Sequence, residues 1–102
     1  MKITDVRVRR IIESERAPQV KAVVSITLDD QIAIHDIRVI EKEDKTFVAM
    51  PRLYVKNGVS RDTVHPTNAE TRRELESAII EAYHAELARR EAASAKDSNT
   101  EE

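Results

Sequence analysis

The residues of this chain whose types could do chemistry are three histidines, one favourably placed serine and a scatter of arginines. His35-Asp36 sets an imidazole beside a carboxylate, as general-base chemistry requires, and Ser25 is a hydroxyl that such a pair could activate. Adjacent residues of a strand point to opposite faces, so these two side chains are expected to diverge and a structural role is the better reading. His35, His65 and His84 show no His-x-x-x-His or His-x-Glu spacing, and the chain itself does not spell out a zinc site. His65 precedes Pro66 and reads as a packing or hydrogen-bonding residue where a strand gives way to a helix. The single glycine, Gly58, excludes the glycine-rich phosphate loops, whose backbone must approach the phosphates closely. With no cysteine, disulfides and thiolate metal sites are excluded as well. No catalytic residue, cofactor, metal or small-molecule substrate is therefore expected.

Phosphate binding is the chemistry that remains. Arg52, Lys56 and Arg61 lie on or beside an expected hairpin, and Arg72 and Arg73 fall in the first turns of an expected helix, where backbone amides also favour phosphate. The bland alternative is a solvated face: Glu70, Glu74 and Glu76 are interspersed, and Arg72 and Glu76 have the i,i+4 spacing of an ordinary ion pair. On charge pattern alone the solvated face is the stronger reading. Arg7, Arg9 and Arg10 form a second candidate surface with the same alternative. Phe47, Tyr54 and Tyr83 are too few aromatics for a base-stacking platform, so any nucleic acid would be held mainly by its backbone.

The elements that must position these residues are legible from periodicity. Ile3 to Ile12 alternates Val6 and Val8 with Asp5, Arg7 and Arg9, the period of a half-buried strand. Glu13 to Gln19 reads as a connection. Val20 to Leu28 places Val20, Ala22, Val24, Ile26 and Leu28 on one face, and Asp29-Asp30-Gln31 supplies turn residues. Ile32 to Ile40 is apolar on both parities, which suggests a central strand covered on both faces or a bulge near His35-Asp36; the covered strand is preferred. Thr46 to Met50 is a fourth strand ended by Pro51, and Lys56-Asn57-Gly58 turns a second hairpin between Leu53 to Val55 and Val59 to Val64. Thr67-Asn68-Ala69-Glu70 matches a capping box with Thr67 as the cap. From there Leu75, Ile79, Ala82, Tyr83 and Leu87 make one apolar helical stripe that fades near Arg90. The fold class expected is α+β: an antiparallel sheet of five to six short strands with one C-terminal helix packed on it.

At 102 residues, 40% hydrophobic and 35% charged, the chain has room for one small domain with a modest core. The last twelve residues carry Glu91, Asp97, Glu101 and Glu102 against Lys96, a net of −3 out of −2 for the whole chain, so residues 1–90 hold +1. We expect a domain over 1–90 and a disordered acidic tail over 91–102, since Ala93 to Glu102 has no apolar residue larger than alanine. Charges at Lys2, Asp5, Arg7, Arg9 and Arg10 interrupt the N-terminal region, so no signal peptide or membrane insertion is expected and the protein is read as cytoplasmic.

The residues quoted so far add up to a resemblance. Thr4-Asp5-Val6-Arg7, Ser25-Ile26-Thr27-Leu28-Asp29, His35-Asp36-Ile37-Arg38-Val39-Ile40, Phe47-Val48-Ala49-Met50-Pro51 and Arg61-Asp62-Thr63-Val64-His65-Pro66 resemble, in order and spacing, the blocks of the stage V sporulation protein G (SpoVG) family. The resemblance covers about residues 1 to 85. It implies a bacterial homodimer with an antiparallel sheet and a C-terminal helix, a regulatory influence on septation and sporulation, and binding to DNA and RNA. In that family the segment after Met-Pro usually reads Ser-Lys-Arg-Thr-Pro-Asp-Gly, whereas here it is Arg52-Leu53-Tyr54-Val55-Lys56-Asn57-Gly58. The adjacent basic pair is missing, and Arg52 and Lys56 stand at neighbouring positions. A homodimer also follows from the expected sheet, whose hydrophobic edges would be buried by pairing across a two-fold axis. The competing class is a protein-interaction module of the division machinery, and a third is a small hydrolase built on His35 or His65.

Overall fold

The computed structural model describes residues 2–12, 18–54, 58 and 60–100. Four strands, β1 (Ile3–Ile11), β2 (Val20–Leu28), β3 (Ile32–Lys42) and β4 (Lys45–Ala49), form an antiparallel sheet in the order β1-β2-β3-β4. A separate hairpin pairs β5 (Arg52–Tyr54) with β6 (Ser60–Asp62), and one helix, α1, spans Ala69–Thr100. This is the expected α+β class, with its six described strands divided between two sheets.

Acidic residues make the turns of the main sheet. Asp29 and Asp30 take φ of 51° and 55°, and the Gln31 amide donates to the Leu28 carbonyl at 2.9 Å. Glu43 and Asp44 turn β3 into β4 with φ of 52° and 66°. Asp tolerates this left-handed region better than most residues. The second hairpin is present as expected; of its turn, Gly58 is described, at φ 79°, whereas Lys56 and Asn57 lie outside the described residues.

One face of the sheet builds the core. Ala22, Val24, Ile26, Ile37, Val39, Val48 and Met50 pack against Leu75, Ile79 and Tyr83 of α1. Each fully buried isoleucine or valine side chain contributes about 1.5–3 kcal/mol of transfer free energy, so Ile26, Ile37 and Ile79 dominate the contact. The Tyr83 phenol is pushed above its ordinary pKa by burial and then by the nearby Glu41 carboxylate.

Three expectations need correction. The helix cap is Asn68, not Thr67: its side-chain oxygen accepts from the Thr71 amide at 2.7 Å, and the Asn68 carbonyl accepts the first helical bond from the Arg72 amide at 3.1 Å. Asparagine is the stronger N-cap of the two, and moving the cap by one residue takes Glu70 out of capping-box register. The helix also runs on past Arg90 to Thr100, because Glu91 to Lys96 is rich in alanine with glutamate and lysine and contains no breaker. Its packed stripe ends at Leu87, and Glu91 to Ala93 are exposed.

The third correction concerns β3. It lies between β2 and β4, but its two-parity apolar pattern comes from a bulge rather than from cover on both faces. The β2–β3 register shifts between Val24 and Ile26, so that His35 and Asp36 together oppose Ser25, with Asp36 at φ 63°. Ile37 and Val39 then face the helix while Ile32 is 54% exposed. A matching shift in β1 makes Arg9 the extra residue, since Val8 pairs with Val24 and Arg10 with Val23.

Candidate functional site

Directly paired residues of an antiparallel ladder share a face, so the registers place the paired side chains of the sheet. Val24 and Ile26 are buried under the helix, and Val23 and Ser25 therefore belong to the opposite, helix-free face. On that face Arg7 lies opposite Ser25, Arg10 and Arg38 flank Val23 on either side, and Ala49 follows Arg38. Ile40 pairs with Phe47 one step further along.

The two bulges converge on Ser25. Its hydroxyl, in a residue only 6% exposed, shares a 2.8 Å hydrogen bond with His35 Nδ1 and accepts another from Arg9 Nε at 3.4 Å. The expected divergence of His35 from Asp36 does not occur, because strand alternation fails at a bulge. Asp36 instead lines a shallow hollow of about 320 Å³ with Val23, Arg38, Pro51, Arg52 and Tyr54. His35 Nδ1 is thus engaged by the serine, and the geometry described contains a serine–imidazole–guanidinium cluster rather than a carboxylate-oriented base.

The five expected phosphate-binding residues separate. Arg52 and Arg72 share a second open hollow, of about 390 Å³, with Arg38, Phe47 and Tyr54 beside the β4 edge. Arg52 is anchored there, its Nε donating to Asp62 at 2.8 Å and another guanidinium nitrogen to Ser60 at 3.3 Å. Arg72 lies 3.7 Å from Glu76, the i,i+4 contact foreseen from spacing, and both partners stay partly exposed. Arg61 pairs with Leu53 in the hairpin and so occupies the face opposite Arg52 and Tyr54. Arg73 lines a groove along α1 with Glu76, Ile80 and His84. Lys56 lies outside the described residues.

Sequence reasoning did not single out Arg38. Its signal was the bulge: once His35-Asp36 is a two-for-one position, Arg38 shares its face with Ser25 and Val23. Tyr54 hydroxyl lies 3.5 Å from an Arg38 guanidinium nitrogen and ties the hairpin to the sheet. At the far end of the chain, Arg89 and Arg90 both donate to Glu86, whose carboxyl is held down to about 2, chiefly by the Arg89 hydrogen bond. One carboxylate shared by two guanidiniums leaves that cluster a net charge of +1. No helix among the described residues is long and apolar enough to cross a membrane.

Comparison with known proteins adds family context. The SpoVG family model matches residues 1–85. A protein of Clostridioides difficile strain 630 named "Putative septation protein SpoVG" is 48% identical over 93 residues, which cover 91% of this chain and 98% of that protein. A protein of the same name from Acholeplasma laidlawii is 51% identical over 83 residues, 81% of this chain and 85% of the relative. Another, from Agathobacter rectalis, is 45% identical over 87 residues, 85% and 97% of the two chains.

Proposed function

The chain belongs to the SpoVG family of septation proteins, and from that premise we propose that it is a non-enzymatic, dimeric, cytoplasmic regulator that binds DNA or RNA through the phosphate backbone. The observation that carries this reading is the convergence of Arg52, Arg72 and Arg38 in one hollow flanked by Phe47 and Tyr54. Guanidinium N–H groups not taken up by Asp62 and Ser60 remain to meet phosphate oxygens there, beside the partly exposed Phe47 and Tyr54 rings. Two such hollows on one dimer would strengthen binding through effective concentration.

A salt titration of gel-shift affinity tests the assignment. The pair Arg52→Ala and Lys56→Ala is expected to weaken binding and flatten the dependence of log K on log salt by about 0.9 per lost phosphate contact on duplex DNA. An unchanged slope removes these two residues from the interface.

A second reading has its own support. Leu53 is 44% and Tyr54 69% exposed, apolar surface of the kind that marks a protein-docking site. If the protein is instead an interaction module of the division machinery, micromolar nucleic acid leaves the amide spectra of residues 52–73 unshifted.

A further inference from the structure

Resting on the nucleic-acid reading above, we propose that the phosphate backbone is held not at the hairpin alone but across the whole helix-free face of the sheet, with Ser25, His35 and Arg9 forming a phosphate seat at its far side. A single helix covers one face, and the other carries Arg7, Arg9, Arg10 and Arg38 in neighbouring rows. Arg7 is tied to Asp5 at 2.8 Å, whereas Arg9, Arg10 and Arg38 have no ion pair among the described residues. Arg38 belongs to both hollows described above, so the row Arg10–Val23–Arg38 is continuous with Arg52 and Tyr54.

Two independent features show that the arrangement is built rather than incidental. The first is the pair of bulges on either side of β2. Without the extra residue in β1, Arg10 would fall on the core face, where a guanidinium could not be solvated; with it, Arg9 and Arg10 both reach the open side. Without the extra residue in β3, His35 and Asp36 would point to opposite faces. The second is Ser25, a buried hydroxyl held between an imidazole and a guanidinium. A histidine and an arginine meeting at one serine hydroxyl supply donors for a phosphodiester oxygen.

The charge of the face selects the occupant. A second copy docking isologously would press arginine rows against each other, because a two-fold contact presents the same patch twice. A polyanion meets four guanidiniums against two carboxylates on this face, Asp36 and the Asp5 already paired with Arg7.

The test compares the full-length wild type, Arg52→Ala and the double variant Arg9→Ala/Arg10→Ala, with Arg38→Ala as a second probe of the row. Affinity for one duplex of fixed length is measured across a salt series, and amide shifts are mapped on titration with a short oligonucleotide. Both β1 arginines are exposed, and circular dichroism checks that the variants fold. The expected result is a slope flattened by about 1.8 in the double variant and about 0.9 in Arg38→Ala, with shifts at Val23, Ser25 and His35 in the wild type. A wild type that binds, loses affinity in Arg52→Ala and is unaffected by the β1 and Arg38 changes overturns the open-face track and leaves the hairpin reading standing. A wild type that binds no nucleic acid at low salt overturns both. Val23 and Ser25 amide signals that shift with protein concentration in the absence of nucleic acid give the face to a second copy and likewise overturn the proposal.

Discussion

Asn68 shows how much can turn on one position. Thr67 and Asn68 are both competent caps, and the sequence alone favoured Thr67 because Glu70 stands three residues beyond it. The hydrogen bond from the Thr71 amide decides for Asn68. Asn68→Ala is expected to cost about 1 kcal/mol of stability, and Thr67→Ala only a few tenths, measured as shifts of a urea midpoint. Equal costs would return the cap to Thr67. The basic residues were legible as charges but not as partners. Spacing along the helix predicted the Arg72–Glu76 contact, whereas the Arg52–Asp62 pair joins two strands and depended on a hairpin register that no local pattern prints.

At the scale of elements, the four long strands, the second hairpin and the packed helical stripe were all readable, because each is set by local periodicity and turn chemistry. The bulge in β3 was readable as an ambiguity. The phase change between Ile34 and Ile37 admits a bulge or a second covering layer, and only the count of layers separates them. One helix serves one face, so the bulge wins. Its conformation gives a direct test. At φ 63°, Asp36→Val is expected to destabilise by about 1–2 kcal/mol and Asp36→Gly to be tolerated, both read from chemical denaturation. A harmless valine would mean that β3 is not held in this register. The helix end was less legible, since propensity carries helical backbone beyond the last packed residue, Leu87.

For the molecule as a whole, β1 and β4 are the edges of the main sheet, and unpaired strand edges invite pairing. Sedimentation at micromolar concentration is expected to give twice the 11.6 kDa chain mass, and a monomer there would remove the dimer from the proposed function. The turns of that sheet have a further effect on whatever it binds. Asp29-Asp30 turns β2 into β3 with two carboxylates, whereas Glu43-Asp44 at the other end of β3 is flanked by Lys42 and Lys45 and sums to zero. A polyanion on the open face, as proposed above, would be repelled from the Asp29-Asp30 end and not from the other, which favours a course across the strands on the side of the β3–β4 turn. Three strand spacings of about 4.8 Å give that course a length of ~14 Å. At about 3.4 Å of duplex axis per phosphate of one strand, this matches about four phosphates. The Asp29-Asp30 hairpin would then act as a kerb on one side, biasing where nucleic acid crosses the protein without touching it.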